Sequence, residues 1–409
     1  MSKEEQFISK FMGRVKELLM EMQEHGYEFL TSGEKFVCSN HFKDKYLNQY
    51  IENHGEAGVC SYCGHKDTVI DMSDLANHIA MTISIYFNDI DSECLPLASS
   101  YYDDQEEDIP GIKRVGCYAV PENADVYEDT FEIMEDLGLH TDSDSLNDDI
   151  DHLFEDNTWI KKNPFELWWN QKKELQWQRF SDMVKHSRRF TFLAMSRVAG
   201  NDDILNDLGD ILRNMDGILH SIPVGATLYR ARSLDKELYD NFGFSDITSA
   251  PDIYAGQCRM NPAGVSMFYG AFDKETAITE SIKTANEKVL VIGEFKTMRE
   301  LTVVDLIALP TEVSIWMDKS EAVSFLKSFH KNITRPLKNN ANEVIDYIPS
   351  QIFTEYLRWM FTDKEGRNID GLLYRSSKTQ KTNVVLFCNN ENSHKWLKLE
   401  NLLQESKDT

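Results

Sequence analysis

Positive charge is scarce in this chain of 409 residues: 43 Lys and Arg stand against 68 Asp and Glu, a formal net charge of −25. Neutralising many phosphates needs clustered basic side chains, so a broad nucleic-acid-binding surface is disfavoured. Proline (10) and glycine (20) are both sparse, which excludes collagen-like architecture and leaves no Pro-rich linker between domains. No uninterrupted apolar run is long enough to span a bilayer, and the opening Met-Ser-Lys-Glu-Glu lacks the pattern of a secretory signal. Seven cysteines, an odd and modest number, do not make a secreted disulfide framework. The expected setting is a reducing cytoplasm, away from membranes.

What is present is ample for folding. With 41% hydrophobic and 27% charged residues, a chain of this length can build two or three ordinary cores. The negative charge is uneven. Residues 102–156 hold 19 Asp or Glu against Lys113 and Arg114, a net of −17. Such a block reads as a solvated surface segment, or as one that meets a basic partner.

Periodicity divides the chain near residue 220. Ser2-Lys3-Glu4-Glu5 is a capping box, and Phe7, Ile8, Phe11, Met12, Val15, Leu18, Leu19 and Met22 follow at helical spacing up to Gly26. A second helix is expected over about Met72–Asp89, short helical pieces over Val126–Leu137, and helical spacing again from Phe165 to Leu219. Beyond Ile222-Pro223-Val224-Gly225 the texture alternates. Strands are expected at Ala226–Ala231, Val289–Phe295, Leu301–Leu306, Leu372–Tyr374 and Val384–Phe387, with helices near Lys274–Thr284, Glu321–Lys331 and Ile352–Met360. The expected fold class is α+β: a mostly helical region over 1–219 and a mixed domain over 220–409.

Within the first region, Cys38-Ser39-Asn40-His41 and Cys60-Ser61-Tyr62-Cys63-Gly64 form C-x2-H and C-x2-C pairs. Two short-spaced pairs of soft or borderline ligands suit one tetrahedral zinc, in a knuckle over about 36–66. Four protein ligands close the coordination sphere, so the ion would be structural. His65 lies close enough to compete with His41 as the fourth ligand. Cys94, Cys117, Cys258 and Cys388 show no pairing and read as buried thiols.

In the second region the stretch Cys258-Arg259-Met260-Asn261-Pro262-Ala263-Gly264 leads into Phe268-Tyr269-Gly270 and Thr276-Ala277-Ile278-Thr279-Glu280. Leu228-Tyr229-Arg230 precedes it, and Tyr374-Arg375-Ser376 with Asn383 follows. Arginine forks bind phosphate oxygens bidentately, and a single carboxylate can stabilise an oxocarbenium-like sugar. Arg230 and Arg259 are therefore candidate phosphate ligands. Glu280, on a helix capped by Asp273, is the candidate carboxylate, and Tyr269 offers a flat aromatic face. Ser376 and Asn383 are polar groups at the ends of strands. Arg232 and Ser377 are near neighbours that could exchange places with Arg230 and Ser376.

Residues 226–387 resemble the RES domain through Arg230, Arg259-x-Asn261-Pro262-x-Gly264, Tyr269, Thr276-Ala277-x3-Glu280, Tyr374-x-Ser376 and Asn383. The resemblance implies an ADP-ribosyltransferase-like fold and a toxin of a toxin–antitoxin system that destroys NAD+ by phosphorolysis or hydrolysis. Carried onto these positions, it makes Glu280, Arg230, Arg259 and Ser376 catalytic. Arg230, Arg259, Asn261, Tyr269, Ser376 and Asn383 would bind NAD+, with inorganic phosphate a candidate acceptor and an antitoxin a candidate partner. Residues 1–219 resemble, more loosely, the HEPN-type region fused to some RES domains, zinc knuckle included. Many HEPN domains are RNases built on R-x4-6-H, a spacing that Arg179 to His186 meets. Two other readings therefore stand beside NAD+ cleavage: an RNase with the RES part as ligand sensor, and ADP-ribosyl transfer to a macromolecule.

Overall fold

A computed structural model describes residues 35–94, 110–151, 157–191, 204–234, 242–281, 289–335 and 343–405. The capping box and the Phe7–Met22 stripe lie outside these residues, as does part of the acidic block. The chain separates into two compact units, Met1–Leu167 with Ser314–Ser320, and Trp168–Val313 with Glu321–Thr409.

The first unit is less helical than its periodicity suggests. Its strands β1 (Phe36–Cys38), β2 (Glu56–Val59), β3 (Lys66–Asp71), β4 (Phe87–Asp89), β5 (Ile112–Val115), β6 (Tyr118–Pro121), β7 (Val126–Tyr127) and β8 (Trp159–Lys161) form three small sheets, ordered β1-β3-β2, β4-β8-β7 and β5-β6. Runs of two to six residues are too short to display an alternating pattern, which is why most escape a reading by periodicity. The expected helix does form, as Met72–Tyr86. Asp71 caps it by accepting from the Ser73 amide at 2.8 Å, and Leu75, Ile79 and Ile83 line its buried stripe. Around that stripe gather Leu47, Ile51, Ile133, Met134, Leu146 and Ile150.

Trp316 completes this core from far along the chain. It is 6% exposed, packs in the same cluster and donates its indole N–H to the Leu137 carbonyl at 3.2 Å. Four residues on, Ser320 Oγ lies 2.8 Å from the Tyr86 hydroxyl.

The second unit is built on an eight-stranded sheet. Its strands are β9 (Leu219–Ile222), β10 (Thr227–Leu234), β11 (Phe268–Ala271), β12 (Val289–Thr297), β13 (Leu301–Asp305), β14 (Gly371–Arg375), β15 (Thr382–Leu386) and β16 (Leu397–Glu405), ordered β16-β12-β10-β11-β15-β14-β13-β9. Among the described residues only the β13–β14 pair is parallel. Alternate residues serve opposite faces, as the pleat requires. Val304, Leu372 and Val385 join one core, and Val303, Leu373, Val384 and Leu386 the other.

The first of these cores moves the structural boundary back from the texture change near 220. Trp177, Phe180 and Val184 of the Trp169–His186 helix, with Leu208 and Leu212 of the Ile204–Asn214 helix, pack against Phe325, Phe329 and Phe353. Both helices thus belong to the unit that contains the sheet. Their spacing is helical, but spacing does not reveal which core an apolar stripe enters.

Truncating a buried indole costs about 3–5 kcal/mol. Trp316→Ala should therefore lower the stability of the first unit, although the stretches on either side of Ser314–Ser320 belong to the second. Hydrogen exchange resolved by residue checks this. Loss of protection confined to residues beyond 320 would contradict the assignment.

Candidate active site and metal centre

The loop between Ala255 and Ser266 is locked from several sides. The Cys258 amide donates to the Asn261 carbonyl at 3.0 Å, and Gly264 takes a left-handed φ of +84° that favours glycine. Asn261 is 3% exposed, and its Nδ2 donates to the carbonyls of Gly256, Pro262 and Val265 at 3.0, 3.0 and 2.8 Å. Its Oδ1 accepts from the Tyr269 hydroxyl at 2.6 Å. Two amide hydrogens shared among three carbonyls leave no donor for a ligand. The structure gives Asn261 the task of shaping the loop.

That loop presents Arg259. Ser350 Oγ holds the Arg259 carbonyl at 2.6 Å, and Gln351 Nε2 holds those of Cys258 and Asn261 at 2.8 and 3.1 Å. The guanidinium donates from Nη1 to the Ile333 carbonyl at 2.8 Å and stands 5.1 Å above the Tyr347 ring. Its backbone is thus aimed by the Ile348–Trp359 helix and its head by the Ser320–Thr334 helix.

Arg230 projects from β10 where that strand and β11 share the single register pair Tyr229↔Ala271. Its Nη1 donates to the Tyr269 carbonyl at 2.8 Å, while its Nε is buried with no hydrogen-bond partner. A buried donor without an acceptor is costly, so a ligand oxygen there would relieve a real penalty. Burial lowers the guanidinium pKa, with Cys258 and Tyr269 pulling the other way. Arg232 is exposed and donates to the Asp246 carbonyl at 2.8 Å, which separates it from Arg230.

Glu280 lies in the last turn of the Lys274–Ser281 helix, which Asp273 caps by accepting from the Thr276 amide at 3.0 Å. The turn joining β14 to β15 is fastened to that helix. Lys378 Nζ donates to the Thr279 carbonyl at 2.7 Å, and the hydroxyls of Thr276 and Thr379 lie 3.0 Å apart. This brings Ser376 Oγ to 2.6 Å and Asn383 Nδ2 to 2.9 Å from the same oxygen, Glu280 Oε1. Ser376 is fully buried and also accepts from the amides of Lys378 and Thr379 at 3.2 and 3.1 Å, which fixes its hydroxyl toward the carboxylate. Ser377 is exposed and takes no part.

Tyr374, quoted above within Tyr374-x-Ser376 but given no role, stands on β14 in register with Asn383. Burial and then the Glu280 charge push its hydroxyl pKa up, while Arg259 and Arg230 oppose them. One hydroxyl therefore lies within electrostatic reach of the carboxylate and both candidate phosphate ligands. Tyr269 joins the same group: burial raises its pKa well above the usual value, with Cys258 and Tyr374 adding to the effect.

The candidate metal-binding cluster lies in the first unit. One ligand atom each from Cys38, His41, Cys60 and Cys63 falls within 4.8 Å of the others. Cys38 Sγ and Cys63 Sγ are 3.7 Å apart, and His41 Nε2 is 3.4 Å from Cys60 Sγ. Metal–sulfur bonds of about 2.3 Å in a tetrahedron give sulfur–sulfur edges of about 3.8 Å, so the spacing fits one ion. Burial raises the Cys60 thiol pKa, but the backbone N–H groups of Cys63, Tyr62 and Cys38 and the His41 ring outweigh it and bring it to about 6. Gly64, at φ +72°, makes the turn that aims these amides. His41 Nδ1 lies 3.5 Å from Asp142 Oδ1, an exposed carboxylate. His65 is exposed and outside the cluster, which decides between the two histidines.

The remaining thiols divide: Cys94 and Cys388 are buried as expected, whereas Cys117 and Cys258 are half-buried. Arg179 and His186 are both exposed on the Trp169–His186 helix, opposite its buried Trp177, Phe180 and Val184.

Residues 227–398 match the family model of the RES domain, and residues 53–198 match that of HEPN/RES N-terminal domain 1. A comparison with curated proteins finds no match.

Protein purified without chelators should carry about one tightly bound metal ion per chain, and Cys60→Ser should release it. Elemental analysis checks both. Metal-free protein with its first unit fully folded would contradict the site.

Proposed function

Because the chain carries a RES domain behind a HEPN/RES N-terminal region, we propose that it is a toxin-like enzyme that cleaves the nicotinamide–ribose bond of NAD+. The observation that carries this reading is the Glu280 carboxylate, held at Oε1 by Ser376 and Asn383 and sharing a neighbourhood with two arginines. Both fixed hydrogen bonds arrive at one oxygen, so Oε2 is the one left to face a sugar.

The nicotinamide of NAD+ is cationic and leaves with the bonding electron pair as a neutral base, so departure needs no general acid. Positive charge then develops on the ribose C1′ and ring oxygen. A carboxylate fixed before the reaction stabilises that charge without having to reorganise. Arg230 and Arg259 would hold the pyrophosphate, the first with a donor already stripped of water. Tyr269 would lie against the nicotinamide side. Water or inorganic phosphate then bonds to C1′ and releases a proton to solvent, giving ADP-ribose or its 1-phosphate. Loss of NAD+ would arrest growth, in a toxin–antitoxin or defence setting, within the cytoplasm.

The Cys38, His41, Cys60 and Cys63 set is best suited to zinc, and with four protein ligands its role would be structural.

Incubating the full chain with NAD+, with and without phosphate, tests the reading through nicotinamide release and identification of the sugar product. Glu280→Gln should slow release by roughly a hundredfold or more. His186→Ala should leave it unchanged. Toxicity that follows His186 and ignores Glu280 would replace this reading with an RNase.

Arg259→Lys should impair turnover almost as much as Arg259→Ala, because an ammonium lacks the planar fork. An ordinary exposed ion pair, worth ~0–1 kcal/mol, would let lysine restore nearly everything. Steady-state kinetics beside melting curves distinguish the two.

A further inference from the structure

Tyr374 stands two residues before Ser376 on β14 and pairs in register with Asn383 on β15. Both of those neighbours spend their side chains on Glu280. Tyr374 does not. Its ring is half-buried against the core that includes Val385 and Leu372. Among the described residues its hydroxyl makes no hydrogen bond, and unlike Arg230 Nε it is not a buried unpaired atom, so it opens to solvent. The charges that act on it come from Glu280, Arg259, Cys258 and Arg230.

A phenol hydroxyl without a partner, on the strand face that also carries Ser376 and Asn383 and within the influence of Arg259 and Arg230, has few chemical uses. Burial and the Glu280 charge keep its proton on, so it serves as a donor and not as a base. The acceptor most compatible with two adjacent arginines is an anionic oxygen. Resting on the NAD+-cleaving reading, we propose that Tyr374 contacts the ligand directly, donating its hydroxyl proton to a phosphate oxygen that Arg259 or Arg230 also grips. That oxygen belongs to one of two sources of the same chemistry: the pyrophosphate of NAD+, or an inorganic phosphate poised to accept the ribosyl group.

Tyr374→Phe in the full chain keeps the ring and removes only the donor. Nicotinamide release is measured with NAD+ varied at fixed phosphate and with phosphate varied at fixed NAD+, and ADP-ribose binding is measured by calorimetry. Losing a hydrogen bond to a charged group should raise one apparent constant about tenfold or more, with a smaller change in kcat. A joint rise in the KM for NAD+ and the Kd for ADP-ribose identifies the pyrophosphate as the source. A rise confined to the KM for phosphate identifies the acceptor. Unchanged constants for all three ligands overturn the proposal. So does a fall in kcat alone, which would make Tyr374 a support for Glu280. If the wild-type chain does not consume NAD+, the functional reading fails by itself. The calorimetry then still decides Tyr374: weaker ADP-ribose binding in Tyr374→Phe upholds the contact, and equal or absent binding in both proteins removes it.

Discussion

The candidate site depends on one short hydrogen bond, from the buried hydroxyl of Ser376 to Glu280 Oε1 at 2.6 Å, with Asn383 closing on the same oxygen at 2.9 Å. A glutamate in the last turn of an eight-residue helix would otherwise sample several rotamers. Two donors on one oxygen fix both its position and its rotation. Much of the second unit reads as the apparatus that makes this possible. β14 and β15 run side by side so that Ser376 and Asn383 arrive together, and the turn between them is tied to the glutamate's helix through Thr379 and Lys378. β11 brings Tyr269 alongside β15, through the pair Tyr269↔Val385. The Ala255–Ser266 loop, stiffened by Asn261, delivers Arg259.

The two units have different sources of order. The second has a sheet buried on both faces, with aromatic side chains such as Phe268, Phe295, Phe329 and Phe353 fully enclosed. The first has short strands and a smaller core, and it draws on two reinforcements. One is the Cys–His cluster, whose ligands come from segments that flank the Lys45–His54 helix. The other is Trp316, supplied by a segment that leaves the sheet-bearing unit at Val313 and returns to it at Glu321. A core that borrows an indole from a distant stretch loses part of its stability when that stretch is removed.

What could be read from the sequence follows how local the physics is. The candidate metal ligands were legible because C-x2-H and C-x2-C are two short-spaced pairs that suit one tetrahedral ion. Whether His41 or His65 completed the set was not legible, since the fold, not the spacing, decides which ring turns inward. Strands β10, β12, β13, β14 and β15 and the helices near Glu280, Phe325 and Phe353 followed from periodicity, whereas β9, β11 and β16 did not. Arg230, Glu280 and Ser376 stood out through the family resemblance and occupy one neighbourhood. The bond between Ser376 and Glu280 spans 96 residues, and no local pattern announces it. The part Asn261 plays in shaping its loop was not legible for a related reason: its acceptors are backbone carbonyls, which leave no mark in a sequence. Tyr374 was hidden because an aromatic on a strand looks like core until the charges around it are known.

The central claim is that Ser376 and Asn383 act through Glu280 and not on the substrate themselves. Coupled residues lose additivity, so a thermodynamic cycle on the rate of nicotinamide release separates the two cases. Ser376→Ala and Asn383→Ala are each measured in the wild-type chain and again in Glu280→Gln. Each should slow release by roughly tenfold in the wild-type background, the worth of a hydrogen bond to a charged group. Neither should slow it much further once the carboxylate is gone. Losses that simply add in the Glu280→Gln background would mean that Ser376 and Asn383 touch the substrate directly, and would contradict the clamp.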